Sequence, residues 1–332
     1  MAQMLTKRRT GAMGIVSVRN LRKVYGDFTA VDGISFDIEQ GEIFGFLGPN
    51  GAGKTTTINM LIGLARPTGG TIFIDGIDGT RDTKKAQSTM GIVADESNLY
   101  DEMDGFDNLC FCASLYGMRK DEREKRAHEL LEWFGLKGAG ERPFRTWSKG
   151  MRRKLTIAAG IIHHPKILFL DEPTTGIDVE SARQIRSLIL DLKRQGTTVF
   201  LTTHYIEEAQ RICDRIAFIV NGRIVKSGTL EELMENAGHE HIIRLTLSNS
   251  ANGVTTDLQH RFPTLHIEAK EENACFISSP EKIPLSPILQ YLDSKGISVF
   301  EAKEMRPTLE DVFVKVTGIE AGKLHKEKEG KK

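Results

Sequence analysis

At 332 residues the chain is too long for one average domain and has room for a large α/β domain plus a smaller one. Hydrophobic residues at 39% and charged residues at 27% are the proportions of a folded globular protein, so neither a disordered chain nor a membrane-embedded one is indicated. Lys plus Arg and Asp plus Glu both number 45, which removes any global electrostatic reason to expect a nucleic-acid partner.

Only the ends are locally biased. Residues 1–14 carry Lys7, Arg8 and Arg9, and residues 319–332 are Lys-rich without an apolar pattern; both read as flexible, solvated termini. Cys110, Cys112, Cys213 and Cys275 show no CxxC spacing, the usage of a reducing compartment without structural zinc. No apolar run approaches the length needed to span a bilayer, and the first residues lack the apolar core of a signal peptide, so the chain is expected to stay in the cytosol.

Taken in order, Ile15 to Val18, Phe28 to Val31 and Gly33 to Ile38 alternate apolar and polar residues as antiparallel strands do. The stretch from Glu42 to Leu47 is a compact apolar strand that runs into a glycine loop and then a helical pattern from Lys54 to Leu64. Between Asp101 and Leu136, apolar residues at helical spacing among charges predict a helical insertion. Lys166 to Leu170 and Thr198 to Leu201 read as buried strands separated by an amphipathic helix, the rhythm of a parallel sheet. A strand pair follows at Arg215 to Val220 and Gly222 to Val225, turning at Asn221-Gly222. The pattern breaks near Asn236-Ala237-Gly238. Beyond it, strands at 241–247, 265–270, 274–278 and 297–302, with helices at 286–295 and 308–317, make up a small α+β domain.

The glycine loop carries the first chemistry. Gly48, Pro49, Asn50, Gly51, Ala52, Gly53, Lys54 and Thr55, followed by Thr56, fit G-x-x-x-x-G-K-[ST] between a strand and a helix. The glycines let successive N–H groups wrap an anion, and the helix start adds its positive dipole end. Lys54 is suited to the β- and γ-phosphates and the Thr55 hydroxyl to a Mg²⁺ shell. Such a loop alone leaves kinases, GTPases and helicases open. The strand ending in Asp171-Glu172-Pro173 narrows the choice, since one carboxylate can hold a metal through water and the next can polarise an attacking water.

In this order the motifs resemble those of the ABC ATPase family from Ile15 to about Met234. The resemblance makes Gly48 to Thr55 the Walker A motif, Ile167 to Asp171 the Walker B motif and Glu172 the catalytic carboxylate. Gly176-Ile177-Asp178 becomes the D-loop, His204 the switch histidine at the γ-phosphate, and Tyr25 the aromatic that stacks on adenine. The family signature L-S-G-G-Q is represented by Trp147-Ser148-Lys149-Gly150-Met151, which departs at three positions. Ser148 and Gly150 remain, the groups expected to meet the γ-phosphate of ATP held by an opposing subunit. The family's Q-loop glutamine is replaced: its place falls on Asp95, beside Glu96, where a shorter charged carboxylate substitutes for a neutral amide. One of these two is expected to serve the metal, Asp95 first. The string Arg306-Pro307-Thr308-Leu309-Glu310-Asp311-Val312-Phe313 resembles the C-terminal accessory domain of ABC-2-type and drug-resistance exporter ATPases.

The implied fold is α/β, a P-loop NTPase of ABC type: a parallel-sheet core with an antiparallel β subdomain and a helical subdomain at about 97–155, within an ATPase domain at 15–234. A small α+β domain at 235–318 and a charged tail complete the chain. The implied activity is ATP hydrolysis, with ATP and Mg²⁺ bound between two cassettes that close head to tail, most simply a homodimer. The cassettes would power a separate transmembrane permease from the cytoplasmic face of the membrane, with small-molecule or lipid-like cargo passing only through that permease. Two rivals stand beside this reading. A soluble ABC protein of the translation-factor or DNA-repair kind would normally show two cassettes or a long coiled coil, and a P-loop kinase is disfavoured by Ser148, Gly150 and His204.

Overall fold

The structure, a computed structural model, describes residues 14–97, 99–139, 141–235, 241–248, 250–305 and 308–319. The expected flexible ends, apart from Gly14 and Ile319, the break at Asn236-Ala237-Gly238, and Arg306-Pro307 at the head of the C-terminal string lie outside the described residues. The chain forms two compact units that divide between Leu230 and Glu231.

The first unit opens with β1 (Val16–Tyr25), β2 (Phe28–Ile38), β3 (Ile43–Leu47), α1 (Lys54–Leu61), β4 (Gly69–Ile74), β5 (Ile77–Asp78), α2 (Thr83–Gln87) and β6 (Met90–Val93). A helical stretch follows, with α3 (Gly105–Leu115), α4 (Lys120–Trp133) and α5 (Lys149–Ile161). The chain then returns through β7 (Ile167–Asp171), α6 (Val179–Arg194), β8 (Thr198–Thr203), α7 (Ile206–Ile212), β9 (Arg215–Val220) and β10 (Arg223–Thr229).

Two sheets result. One is antiparallel, in the order β2-β1-β4-β5; the other runs β10-β9-β3-β8-β7-β6, with every pairing parallel except the β9-β10 hairpin. Period-two alternation sends the central strands' side chains into two different cores. Ile167, Phe169, Phe200, Phe44 and Phe46 pack with the antiparallel sheet, whereas Leu168, Leu170, Val199, Leu201 and Ile43 pack with the helices. Burial on both faces is why these strands read as continuous apolar runs. Phe36 of β2 joins the two sheets, its ring stacked 5.5 Å from Phe44 and 6.1 Å from Phe200.

Local differences from the sequence reading have simple causes. The two short segments between Phe28 and Ile38 form one strand, because Gly33 at φ +69° absorbs the irregularity rather than ending it. The helix expected to reach Leu64 stops at Leu61, with Gly63 at φ +78° and Leu64 largely exposed beyond it.

The second unit contains β11 (His241–Leu247), α9 (Ala251–Arg261), β12 (His266–Glu271), β13 (Ala274–Ser279), α10 (Leu285–Ser294), β14 (Val299–Met305) and α11 (Leu309–Thr317), after α8 (Leu230–Glu235) at the division. Its sheet is antiparallel, in the order β12-β13-β11-β14. Leu245, Cys275 and Ile277 from the strands meet Val254, Leu258, Ile288 and Leu292 from α9 and α10. The sequence reading missed α9, whose start runs Ala-Asn-Gly-Val-Thr-Thr, poor helix formers; burial of Ala251, Val254 and Leu258 on one face overrides that local preference. α11 begins at Thr308 in a reciprocal capping box with Asp311 and ends at Gly318 in the left-handed conformation.

Candidate nucleotide site

The site forms where parallel strands end. β3, β7 and β8 are adjacent in the sheet, and the segments leaving their carboxyl ends carry the glycine loop, Asp171-Glu172 and His204 respectively.

Two glycines in the loop are dictated by close approach. A Cβ at Gly48 would sit 2.2 Å from the Ile219 carbonyl, and Gly53, at φ +103°, would place one 2.6 Å from the Ala30 carbonyl. The loop is tied from behind by the β9-β10 turn, where Gly222 N–H donates to the Ala52 carbonyl at 3.0 Å and Asp32 N–H donates to Gly222 at 2.9 Å. The N-cap of α1 is Gly53, which has no side chain with which to cap the first turn, and a helix start of this kind suits an anion. Lys54 is buried, and its ammonium donates to the Gly48 and Pro49 carbonyls at 2.7 and 3.1 Å while standing 3.3 Å from Glu172 Oε1.

Around the acidic pair, Thr202 of β8 donates to the Asp171 carboxylate, and the Thr55 hydroxyl is close enough to favour its charged form. Burial nevertheless raises the Asp171 pKa, with the neighbouring Glu172 and Asp95 charges adding to the rise. Glu172 sits at φ +49°, a conformation that costs a non-glycine residue about 1–3 kcal/mol and that collects at functional sites. Its Oε2 meets His204 Nδ1 at 2.5 Å and accepts from Thr175 Oγ1 at 2.7 Å. Burial works to raise the Glu172 pKa, but the His204 hydrogen bond, the Lys54 charge and the Thr175 hydroxyl prevail and bring it to about 2. Beneath this pair, Glu208 of α7 accepts from Thr174 at 2.7 Å and from Thr203 at 2.8 Å, and its pKa is raised by burial.

Asp95 lines the same cleft as Asn50, Gly51, Gly53, Lys54, Thr55, Thr56 and Glu172. Asp171 and His204 join the set through their hydrogen bonds. The cleft is also lined by Phe28, which the sequence reading passed over, and whose β-register partner Tyr25 carries the Lys23 ammonium 4.7 Å from its ring. Thr175, Thr202 and Arg153 were passed over as well. In the sequence, Thr175 merely follows the Walker B strand, Arg153 follows the signature string and Thr202 precedes His204.

Ser148, Gly150 and Asp178 are not among the residues lining that cleft. Ser148 caps α5, its hydroxyl oxygen accepting from Met151 N–H at 3.3 Å, which leaves the O–H available to donate elsewhere. Asp178 caps α6, accepting from Ser181 N–H at 2.8 Å, and hydrogen bonds from Ser181 hold its carboxyl below the usual range. A Cβ on Gly150 would lie 2.1 Å from Ser181 Oγ, so the signature helix and α6 start in contact. Trp147 has its own accommodation. Its ring covers Gly105, where a Cβ would meet Cη2 at 2.5 Å, and its Nε1 donates to the Arg142 carbonyl.

Among the described residues, no group of three or more His, Cys, Asp or Glu side chains forms a metal cluster. The Thr55 hydroxyl near the Asp171 carboxylate, with Asp95 lining the same cleft as Thr55, is instead a sparse set of oxygen donors of the kind that suits Mg²⁺ shared with phosphate and water.

This is the fold and site of an ATP-binding cassette, and residues 31–175 match the ABC transporter family model. The chain is 36% identical over 306 residues to the linearmycin resistance ATP-binding protein of Bacillus subtilis, covering 92% of this chain and 98% of that one. It is 34% identical to the Nod factor export ATP-binding protein I of Ralstonia nicotianae, covering 93% and 96%. A dimeric ATP-binding cassette solved in a post-hydrolysis state with ADP and phosphate matches with a TM-score of 0.60 at 28% identity, covering 65% of this chain and 98% of that one. The chain belongs to the ATP-binding subunits of ABC transporters; it binds ATP and is an ATPase. Within the family its relatives are resistance and export ATP-binding proteins, in keeping with the ABC-2 exporter branch, and a non-transport remodelling role is not favoured.

Proposed function

We propose that this chain powers an ABC-2-type exporter, working as one of two cassettes, most simply identical, that close head to tail around two ATP molecules and act on a separate transmembrane permease. The observation that carries the reading is the division of its chemistry. The P-loop, Asp171, Glu172 and His204 gather at one set of strand ends, while Ser148 and Gly150 are not among the residues lining their cleft. Signature residues placed in this way serve ATP held by a second copy. The dimeric form of the solved relative and the names of the resistance and export relatives support the assembly.

In each site the glycine loop and Lys54 hold the β- and γ-phosphates. Glu172 polarises the attacking water, and His204 orients Glu172 while reaching the γ-phosphate. Thr55, Asp171 and Asp95 would hold Mg²⁺, which supplies charge neutralisation at the phosphate oxygens. Tyr25 or its neighbour Phe28 provides the adenine platform. Asp178 and the D-loop set the approach of the two copies.

Among the described residues no helix is long and apolar enough to cross a membrane, which agrees with a permease supplied by another chain. The place of work is then the cytoplasmic face of the membrane. Cargo, small-molecule or lipid-like, is handled only by the permease, and nucleic acid is not a partner. The ATPase domain, with its helical subdomain at about 97–155, runs from 15 to the division after Leu230, short of the expected 234, and the unit Glu231–Gly318 is an accessory domain.

Co-purification of the full chain from membranes tests the reading. A stoichiometric multispanning protein, identified by mass, with ATPase activity in the complex is the expected result. A chain recovered only in the soluble fraction, without a membrane partner, overturns it.

A further inference from the structure

Arg153 lies one residue beyond the first turn of α5, five residues after Ser148, and only 8% of its surface is exposed. Its guanidinium is spent on backbone carbonyls. Nη2 donates to Asp171 at 2.6 Å and Nε to Pro173 at 3.0 Å, the residues on either side of Glu172. Nη1 donates to Ala94 at 2.5 Å and to Asp95 at 3.1 Å. One planar group from the signature helix thus brackets the left-handed backbone of Glu172 and fastens the loop that carries Asp95.

Three features make this more than a structural strut. The acceptors belong to two segments that are distant in sequence and both supply the phosphate cleft. The clamp originates on the helix that Ser148 caps, whose start is proposed above to meet the other copy's nucleotide. The conformation it brackets at Glu172 is one a non-glycine residue adopts only where its surroundings impose it.

We propose that Arg153 is a positioning residue that sets Glu172 and Asp95 from the signature helix, so that engagement of that helix in one composite site is felt at the catalytic carboxylate of the other. Arg153 touches no reacting atom; it acts through the backbone on each side of Glu172. The inference rests on Glu172 as the water-polarising carboxylate, the reading given above.

Arg153→Lys keeps the charge but loses the planar fork that reaches two segments at once, and Arg153→Gln loses the charge as well. The test is made on the full chain, with the concentration of active sites set by titration with a non-hydrolysable ATP analogue, so that unfolded protein does not count. Per site, kcat should fall on the order of 10- to 100-fold in Arg153→Lys and further in Arg153→Gln, as expected for a displaced reacting geometry, while analogue affinity stays within about two-fold. Parallel loss of binding and kcat, or an unchanged kcat per site, overturns the proposal.

Two controls separate its failure from that of the reading beneath it. Normal hydrolysis by Glu172→Gln removes the underlying assignment; an inactive Glu172→Gln beside a fully active Arg153→Lys removes only the role of Arg153. The half-saturating Mg²⁺ concentration should rise in Arg153→Lys and in Asp95→Ala alike. An Arg153→Lys enzyme that loses kcat with its Mg²⁺ dependence unchanged overturns the Asp95 limb of the clamp.

Discussion

His204 Nδ1 and Glu172 Oε2 meet at 2.5 Å, although the two residues follow the ends of different strands, β8 and β7. The contact fixes the direction of the Glu172 carboxylate, which also carries Lys54 on its other oxygen. Glu172→Gln keeps the shape and removes the charge. Hydrolysis is expected to fall about 10²- to 10⁴-fold, with ATP binding retained. Phosphate release and size-exclusion chromatography with ATP read the outcome, a slow enzyme that accumulates as a dimer. Because both side chains act through one contact, His204→Ala should add little to the loss in Glu172→Gln, far less than the product of the two single losses.

The same cluster predicts a pH dependence of stability. The Glu172 carboxyl is held at about 2 in the fold against an ordinary 4.5. A carboxyl depressed in this way stabilises the folded state above its unfolded value, and the stabilisation is lost as pH falls through the folded value. The window therefore runs from about 4.5 down to about 2, and the full contribution is on the order of 3 kcal/mol at neutral pH. Denaturant unfolding of the wild type and Glu172→Gln between pH 7 and 2 checks it. The gap between the two should narrow as the solution is acidified; a gap independent of pH is evidence against the pairing.

Trp147 and Gly105 form a matched pair. Gly105→Ala pushes a methyl group into the indole, and overpacking of this kind costs about 1–3 kcal/mol. The double variant Gly105→Ala with Trp147→Leu should recover part of that loss. Melting temperatures of the three proteins decide whether the indole is the obstacle.

Gly150 and Ser181 are matched in the same sense. Gly150→Ala would press on the Ser181 side chain, and the signature helix would have to shift away from α6. Lower thermal stability and weaker ATP-driven dimerisation are expected, with both partly restored by Ser181→Gly. If Ser181→Gly restores neither, the packing role is excluded.

Tyr25 and Phe28 are the two candidates for the adenine platform proposed above. Phe28 lines the cleft, whereas Tyr25 carries Lys23 close to its ring. Removing a ring that stacks on a base costs about 1–3 kcal/mol, roughly 5- to 150-fold in affinity. Phe28→Ala should therefore weaken ATP binding by at least the lower figure. Calorimetric titration of Phe28→Ala and Tyr25→Ala shows which ring does the stacking.

Much of this molecule was legible before its structure. Motif order from the glycine loop to His204 marked the chemistry, because phosphate binding needs a glycine-rich strand-to-helix turn whose local spacing is written in consecutive residues. Continuous apolar runs at Ile167 to Leu170 and Thr198 to Leu201 marked the doubly covered sheet for the same local reason. The rest depended on groups brought together across long stretches of chain. Thr202 reaches Asp171 only because β7 and β8 pair in register, and Arg153 reaches Ala94, Asp171 and Pro173 only because α5 packs beside both segments. Helix α9 formed against its own sequence because burial outweighed propensity. Consecutive residues carried the kind of chemistry, ATP binding and hydrolysis, because the phosphate-binding turn and the acidic strand end are local patterns. Tertiary structure alone decided how Glu172 is aimed and held, since buried hydrogen bonds between distant segments leave no spacing to read.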